Sequence, residues 1–192
     1  CQQTTTPTLH SQRRSIINGS PDLRYPAVGV LVRDRTPFCS ATLITPRLAL
    51  TAGHCIDLAR IAAMGQNKIE FRIDLPLNPN TQEFQSSYFP AEPRLLSTHP
   101  QWNPEQLLRG FDVGLVILQT PVPSTVATPL PVRTTALPQV ASLLFQGYGL
   151  IQSVGHPVSP NRKMSAQLPL VRIERDRITS DGPGKSICHG DS

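Results

Sequence analysis

The apolar residues of this chain come in runs of strand length and never of helix length. Tyr25 to Val32, Cys39 to Thr45, Arg47 to Thr51 and Val113 to Leu118 are the clearest, and the first two are parted by Arg33-Asp34-Arg35-Thr36-Pro37. Lys68 to Ile73 alternates apolar and charged residues at period two, the pattern of a half-buried strand. Val113 to Leu118 is continuously apolar and is expected to be buried on both sides. Pro76 to Pro93, rich in Pro, Asn and Ser, is expected to form a long surface loop. Twenty prolines and twelve glycines in 192 residues suit many short segments joined by turns, and neither an internal repeat nor a long amphipathic helix is expected. The expected fold class is all-β and antiparallel.

The length suffices for one long domain with a real core, and 39% hydrophobic residues gathered in runs exclude a disordered chain. No apolar run approaches the roughly 18 residues that span a bilayer. The net charge of +5 is scattered: Arg13-Arg14 and Arg172 to Arg177 are the nearest things to clusters, and Glu174 and Asp176 break the second. Without interleaved aromatics this is a solvated surface, and no nucleic-acid partner is expected. Residues 1–15 read as a flexible, propeptide-like tether, 16–120 and 139–192 as two β units, and 121–138, with five prolines, as the crossover between them.

Four cysteines stand at positions 1, 39, 55 and 188. His54-Cys55 and Cys188-His189 lack the spacer of a usual zinc site, so neither a metal nor another cofactor is expected. Cys39 and Cys55 fit a disulfide better, which implies an oxidising compartment. Cys1, followed by Gln2-Gln3-Thr4-Thr5-Thr6-Pro7, resembles the start of a mature bacterial lipoprotein, with a lipidated Cys1 as membrane anchor; a mere boundary of the sequence reads the same way. The expected location is secreted, or an outer-membrane or periplasmic lipoprotein.

Three short motifs carry the chemistry, in the order His, Asp, Ser. They are Leu50-Thr51-Ala52-Gly53-His54-Cys55, Phe111-Asp112-Val113-Gly114-Leu115 and Ile187-Cys188-His189-Gly190-Asp191-Ser192. A serine hydroxyl is a poor nucleophile at neutral pH and needs a base within hydrogen-bond reach. His54 would take the Ser192 proton and return it to the leaving amine, while Asp112 would hold the imidazole in the right tautomer. Each residue alone is a weak signal; joined, the motifs are specific.

With that order and those motifs, the chain resembles the chymotrypsin-like (trypsin-fold) serine proteases from Ile16 to Ser192. Ser40-Ala41-Thr42-Leu43-Ile44, His99-Pro100 and the glycine-flanked aromatic in Gln146-Gly147-Tyr148-Gly149 are similar to family elements in the expected order. The resemblance implies two antiparallel six-stranded β-barrels, the first in 16–120 with His54 and Asp112, the second incomplete in 139–192. It implies a serine endopeptidase working through an acyl-enzyme on a peptide or protein substrate, and a Cys39–Cys55 bridge. The amides of Gly190 and Ser192 would form the oxyanion hole, Asp191 would pair with an N-terminal ammonium freed at Ile16, and Ser186 would lie at the base of the S1 pocket. A small neutral residue there speaks against selectivity for Lys or Arg. The bond to be cut, Ser15–Ile16, does not follow a basic residue, since Arg13-Arg14 lies one position early; the chain with residues 1–15 attached is expected to be zymogen-like. The family continues past its nucleophile, so the C-terminal remainder of the same protein, in the same or a separate chain, is an expected partner and would supply the mate of Cys188. The alternative is a non-catalytic subunit or binding module on the same scaffold, tethered through Cys1 in a bacterial envelope assembly.

Overall fold

The computed structural model describes residues 16–17, 19–78, 81, 83–106, 110–135, 140–149, 162–173, 178–180 and 186–187. In chain order the elements are β1 (Ile16–Ile17), β2 (Ser20–Pro21), β3 (Val28–Arg33), β4 (Thr36–Thr45), β5 (Leu48–Thr51), α1 (Gly53–Met64), β6 (Ile69–Pro76), β7 (Phe84–Pro90), β8 (Ser97–Thr98) and β9 (Gly114–Ile117). β10 (Ser142–Gly147), β11 (Met164–Ile173), β12 (Ile178–Ser180) and β13 (Ser186–Ile187) complete them. Every ladder is antiparallel. Seven strands form one sheet in the order β7-β6-β3-β4-β5-β9-β8, β10-β11-β12 form a second with β2 against β11, and β1 pairs with β13. Among the described residues the protein is all-β apart from α1 and one 3-10 turn, Pro93–Leu95.

Local chemistry sets the turns and closes the large sheet. Asp34 and Arg35, at φ 46° and 70°, link β3 to β4 by a two-residue hairpin of the twist that antiparallel strands favour. The Asp34 carboxylate accepts from the Lys68 amide at 2.9 Å, which fixes the neighbouring approach to β6. Beyond β7, Ala91 bridges Leu118 beyond β9, and Gln119 N–H donates to the Pro90 carbonyl at 2.9 Å, so the sheet meets itself as a barrel. Its interior is filled by Leu31, Leu43, Ile56, Phe71, Ile73 and Leu118, all fully buried. Proline-rich residues 121–131 add no strand but seal the barrel: Leu130 N–H donates to Leu43, and Val122 and Ala127 join the core.

Four local expectations are corrected. Pro76 to Pro93 is not all loop, because Phe84–Pro90 pairs along the whole of β6. Phe89 enters the core and Tyr88 the opposite face, an alternation that the polar neighbours obscure. β6 is not half-buried: Glu70, Arg72 and Asp74 are as hidden as Ile69, Phe71 and Ile73. β9 buries Gly114 and Val116 fully and its alternate residues only in part, since that second face is not enclosed. Finally, α1 is a helix of 12 residues. Leu58, Ile61 and Met64 face solvent while Cys55, Ile56, Ala59 and Ala62 face the core, so apolar residues encircle it and no clean stripe marks it in the sequence.

Between the second sheet and the start of β3 sits a buried lysine. Lys163 is fully inaccessible, and its ammonium donates to the carbonyls of Tyr25 and, at 3.2 Å, Val28. Burial pushes its pKa down from 10.5 to about 8, against the opposing pull of Asp22 and Asp74. The folded state therefore releases this proton before the unfolded chain does. The stability linked to Lys163 is full above pH 10.5 and is lost as pH falls through 8. Relative to Lys163→Met, the unfolding free energy is expected to climb by about 3 kcal/mol between pH 7.5 and 10.5, read from denaturant titrations at a series of pH values. A pH-independent difference would contradict the shift.

Candidate active site

The register of two strands builds the site. β5 leaves the barrel at Thr51, which lies opposite Gly114, the first residue of β9. Three residues past Thr51 comes His54, and two before Gly114 comes Asp112, so the antiparallel pairing delivers them to one spot. The His54 Nδ1 lies 2.8 Å from Asp112 Oδ2, and the His54 backbone N–H donates to Asp112 Oδ1 at 2.9 Å. Both oxygens of one carboxylate thus hold one residue, by ring and by backbone. With the ring proton on Nδ1, the lone pair is on Nε2, which lies 3.4 Å from Cys55 Sγ.

Burial alone would raise the Asp112 carboxyl, but the bonds from the His54 ring and from the amides of His54 and Gly53 outweigh it. The carboxylate is held below its ordinary range and stays ionised at neutral pH.

The surroundings leave this pair little freedom. A Cβ on Gly114 would come within 2.3 Å of Ile56 Cγ1 and 2.7 Å of the Ala52 carbonyl oxygen, so only glycine lets β9 approach α1 this closely. A Cβ on Gly53 would meet the Trp102 ring at 3.0 Å and Asp112 Oδ1 at 3.2 Å. Trp102 in turn donates from Nε1 to Asp57 at 2.8 Å, pinning the loop that follows β8 onto α1. On the other side, Phe111 adopts φ 63°, rare for a non-glycine residue. It is supported there by stacking on His99, ring centroids 4.8 Å apart, and by the Val113 N–H at 2.7 Å from its carbonyl. This turn aims Asp112 at the histidine.

Cys39 and Cys55 form a disulfide, Cα atoms 6.1 Å apart, fastening the residue after His54 to β4. Cys39, His54 and Cys55 are grouped closely enough to suggest metal ligands, but the bridge consumes both sulfurs. The disulfide fits an oxidising compartment, and no helix among the described residues is long and apolar enough to cross a membrane.

Of the site residues read from the sequence, the structure brings His54 and Asp112 together and joins Cys39 to Cys55. Ile16 and Ser186 enter one ladder, with Ile16 opposite Ile187 and Ile17 opposite Ser186. Cys1, Cys188, His189, Gly190, Asp191 and Ser192 lie outside the described residues. Trp102 and the two close-approach glycines were missed as supports. The one available signal was that the chain's single tryptophan follows His99-Pro100 so closely.

An antiparallel β protein with a histidine–carboxylate pair beside a disulfide is the class of scaffold to which the motifs point. A family model described as Trypsin matches residues 16–192, and the chain belongs to the trypsin family. It is 25% identical over 170 residues to Proproteinase E of Bos taurus, covering 80% of this chain and 63% of that protein. To chymotrypsin-like elastase family member 3A of Homo sapiens it is 26% identical over 172 residues, covering 80% of this chain and 59% of the relative. Brachyurin of Leptuca pugilator is 26% identical over 185 residues, covering 88% of this chain and 74% of its own length. The chain therefore spans less than two thirds of the first two relatives.

Proposed function

We propose that this protein is a serine endopeptidase whose triad is His54, Asp112 and Ser192. The observation that carries the reading is the two-point grip of Asp112 on His54, ring and backbone, at 2.8 and 2.9 Å. A carboxylate so placed fixes the imidazole with its acceptor nitrogen outward and stabilises the cation formed when that nitrogen takes a proton. Ser192 Oγ attacks the substrate carbonyl as its proton passes to His54 Nε2. The oxyanion is met by the amides of Gly190 and Ser192. Collapse of the tetrahedral intermediate breaks the peptide bond, and the leaving amine takes the proton from His54. Water, deprotonated by the same imidazole, then attacks the acyl-enzyme and releases Ser192. Asp191 is assigned to the ammonium exposed when the chain is cut before Ile16. The pairing of Ile16 with Ile187 supports this, because it puts the new terminus on the segment that leads to Asp191.

The test is fluorophosphonate labelling of the full-length protein, intact and begun at Ile16, with the adduct mapped by mass spectrometry. The Ile16 form is expected to label at Ser192. No adduct in either form would sink the catalytic reading and favour a non-catalytic binding module. Labelling of the intact form would remove only the zymogen assignment. Among peptides that differ at the residue before the cut, apolar side chains are expected to be preferred, from Ser186 at the pocket base; a strong preference for Arg would refute that assignment.

A further inference from the structure

The outer face of the first barrel carries ionic side chains that the triad does not use. Val30, Ser40, Arg72 and Tyr88 stand abreast on β3, β4, β6 and β7, so their side chains share the face turned away from the barrel core. Glu70 and Asp74 flank Arg72 on the same side of β6. Tyr148, the residue that follows β10 of the second sheet, is laid over this face and packs with Val30, Val32 and Tyr88. Its hydroxyl donates to Asp74 Oδ2 at 2.9 Å, its backbone N–H donates to Ser40 Oγ at 2.9 Å, and the Arg72 guanidinium lies 5.3 Å from its ring centre. Asp74 is fully inaccessible and is also held by the Arg72 guanidinium at 3.1 Å and by the Ser86 hydroxyl at 2.7 Å.

One of these contacts, with Ser40, leads toward the catalytic histidine by two routes. Ser40 follows Cys39 of the disulfide, and its carbonyl accepts from the Thr51 hydroxyl at 2.8 Å, three residues before His54. We propose that Tyr148 is a positioning residue that fastens the second sheet to the first barrel through Asp74 and Ser40 and so sets the placement of Ser192 against His54. The proposal rests on the triad reading above, in which the base belongs to the first β unit, 16–120, and the nucleophile to the second, 139–192, and the two must be held at hydrogen-bonding distance. Burial of the phenol and the neighbouring Asp74 carboxylate raise its pKa, so the hydroxyl stays a donor throughout the working range.

A paired comparison separates positioning from plain stability. Tyr148→Phe removes a bond to Asp74 that crosses between the sheets, whereas Ser86→Ala removes a bond to the same carboxylate from within the first barrel. Both are expected to lower Tm by similar amounts in the full-length protein. Tyr148→Phe is expected to slow fluorophosphonate labelling about ten-fold, the scale of a sub-ångström misplacement, while Ser86→Ala stays within about two-fold of wild type. Equal labelling by the two variants would overturn the proposal. Should Tyr148→Phe not fold, Ser40→Ala, which removes the acceptor of the Tyr148 amide, takes its place under the same criterion. Failure of the wild type itself to label overturns the triad reading and this proposal with it; a labelled wild type matched by Tyr148→Phe overturns this proposal alone.

Discussion

Asp112→Asn is expected to leave the protein folded and to lower kcat by about 10⁴, or about 5.5 kcal/mol of barrier. The size is the one that this change has in trypsin-fold proteases; the direction follows from the geometry. Asp112 has two accepting oxygens, one for the His54 ring and one for the His54 amide. An asparagine has a single oxygen, and the backbone N–H of His54 is the partner that cannot adapt. The amide nitrogen then faces Nδ1 and donates to it. That places the ring proton on Nε2, where the imidazole can no longer accept from Ser192. The fold should survive, because the backbone N–H of His54 keeps its acceptor and the ring keeps a partner at Nδ1. Steady-state kinetics with a peptide substrate, paired with thermal unfolding, makes the check. An unchanged kcat would show that Asp112 only holds α1 in place.

Replacing Cys39 and Cys55 together by serine is expected to cost about 3 kcal/mol of stability, the loop-closure value for a bridge spanning 16 residues. Both cysteines are buried, so the serine hydroxyls also enter a largely apolar site, which adds to the loss. Because the bridge anchors the residue next to His54, the variant should also label more slowly with fluorophosphonate. Denaturant unfolding of the variant beside the oxidised wild type measures the first effect. A loss below about 1 kcal/mol would mean that the packing of Ile56, Ala59 and Ala62 fixes α1 without the bridge.

Strand-sized apolar runs and turn residues made β3, β4 and β5 readable, because short β-branched and apolar runs bounded by turn residues are written locally. The meeting of His54 and Asp112 was legible for another reason: each sits in a motif whose chemistry is recognisable before its position is known. What local pattern could not reveal was anything decided by a distant surface. The charges of Glu70, Arg72 and Asp74 look solvated along β6, yet Tyr148 packs on Arg72 and Asp74, and Arg35 and Lys68 pair with the buried Glu70. Phe84–Pro90 reads as loop since Gln85, Ser86 and Ser87 break its apolar rhythm, yet full pairing with β6 makes it a strand. α1 escaped notice because Leu58, Ile61 and Met64 remain in water, against the rule that apolar side chains mark the buried side. Gly53 and Gly114 serve the site by leaving room that a Cβ would fill, and Trp102 by its bond to Asp57, and no single sequence displays either.

The ionic strip on β6 also bears on how such a chain is made. Amino-terminal units fold first during synthesis, so the earlier barrel waits while its companion is still being translated. A seam lined with valine and leucine alone would be adhesive for that interval. Here Glu70, Arg72 and Asp74 share that seam with Val30 and Val32, and charged side chains keep water more strongly than valine does until another surface covers them.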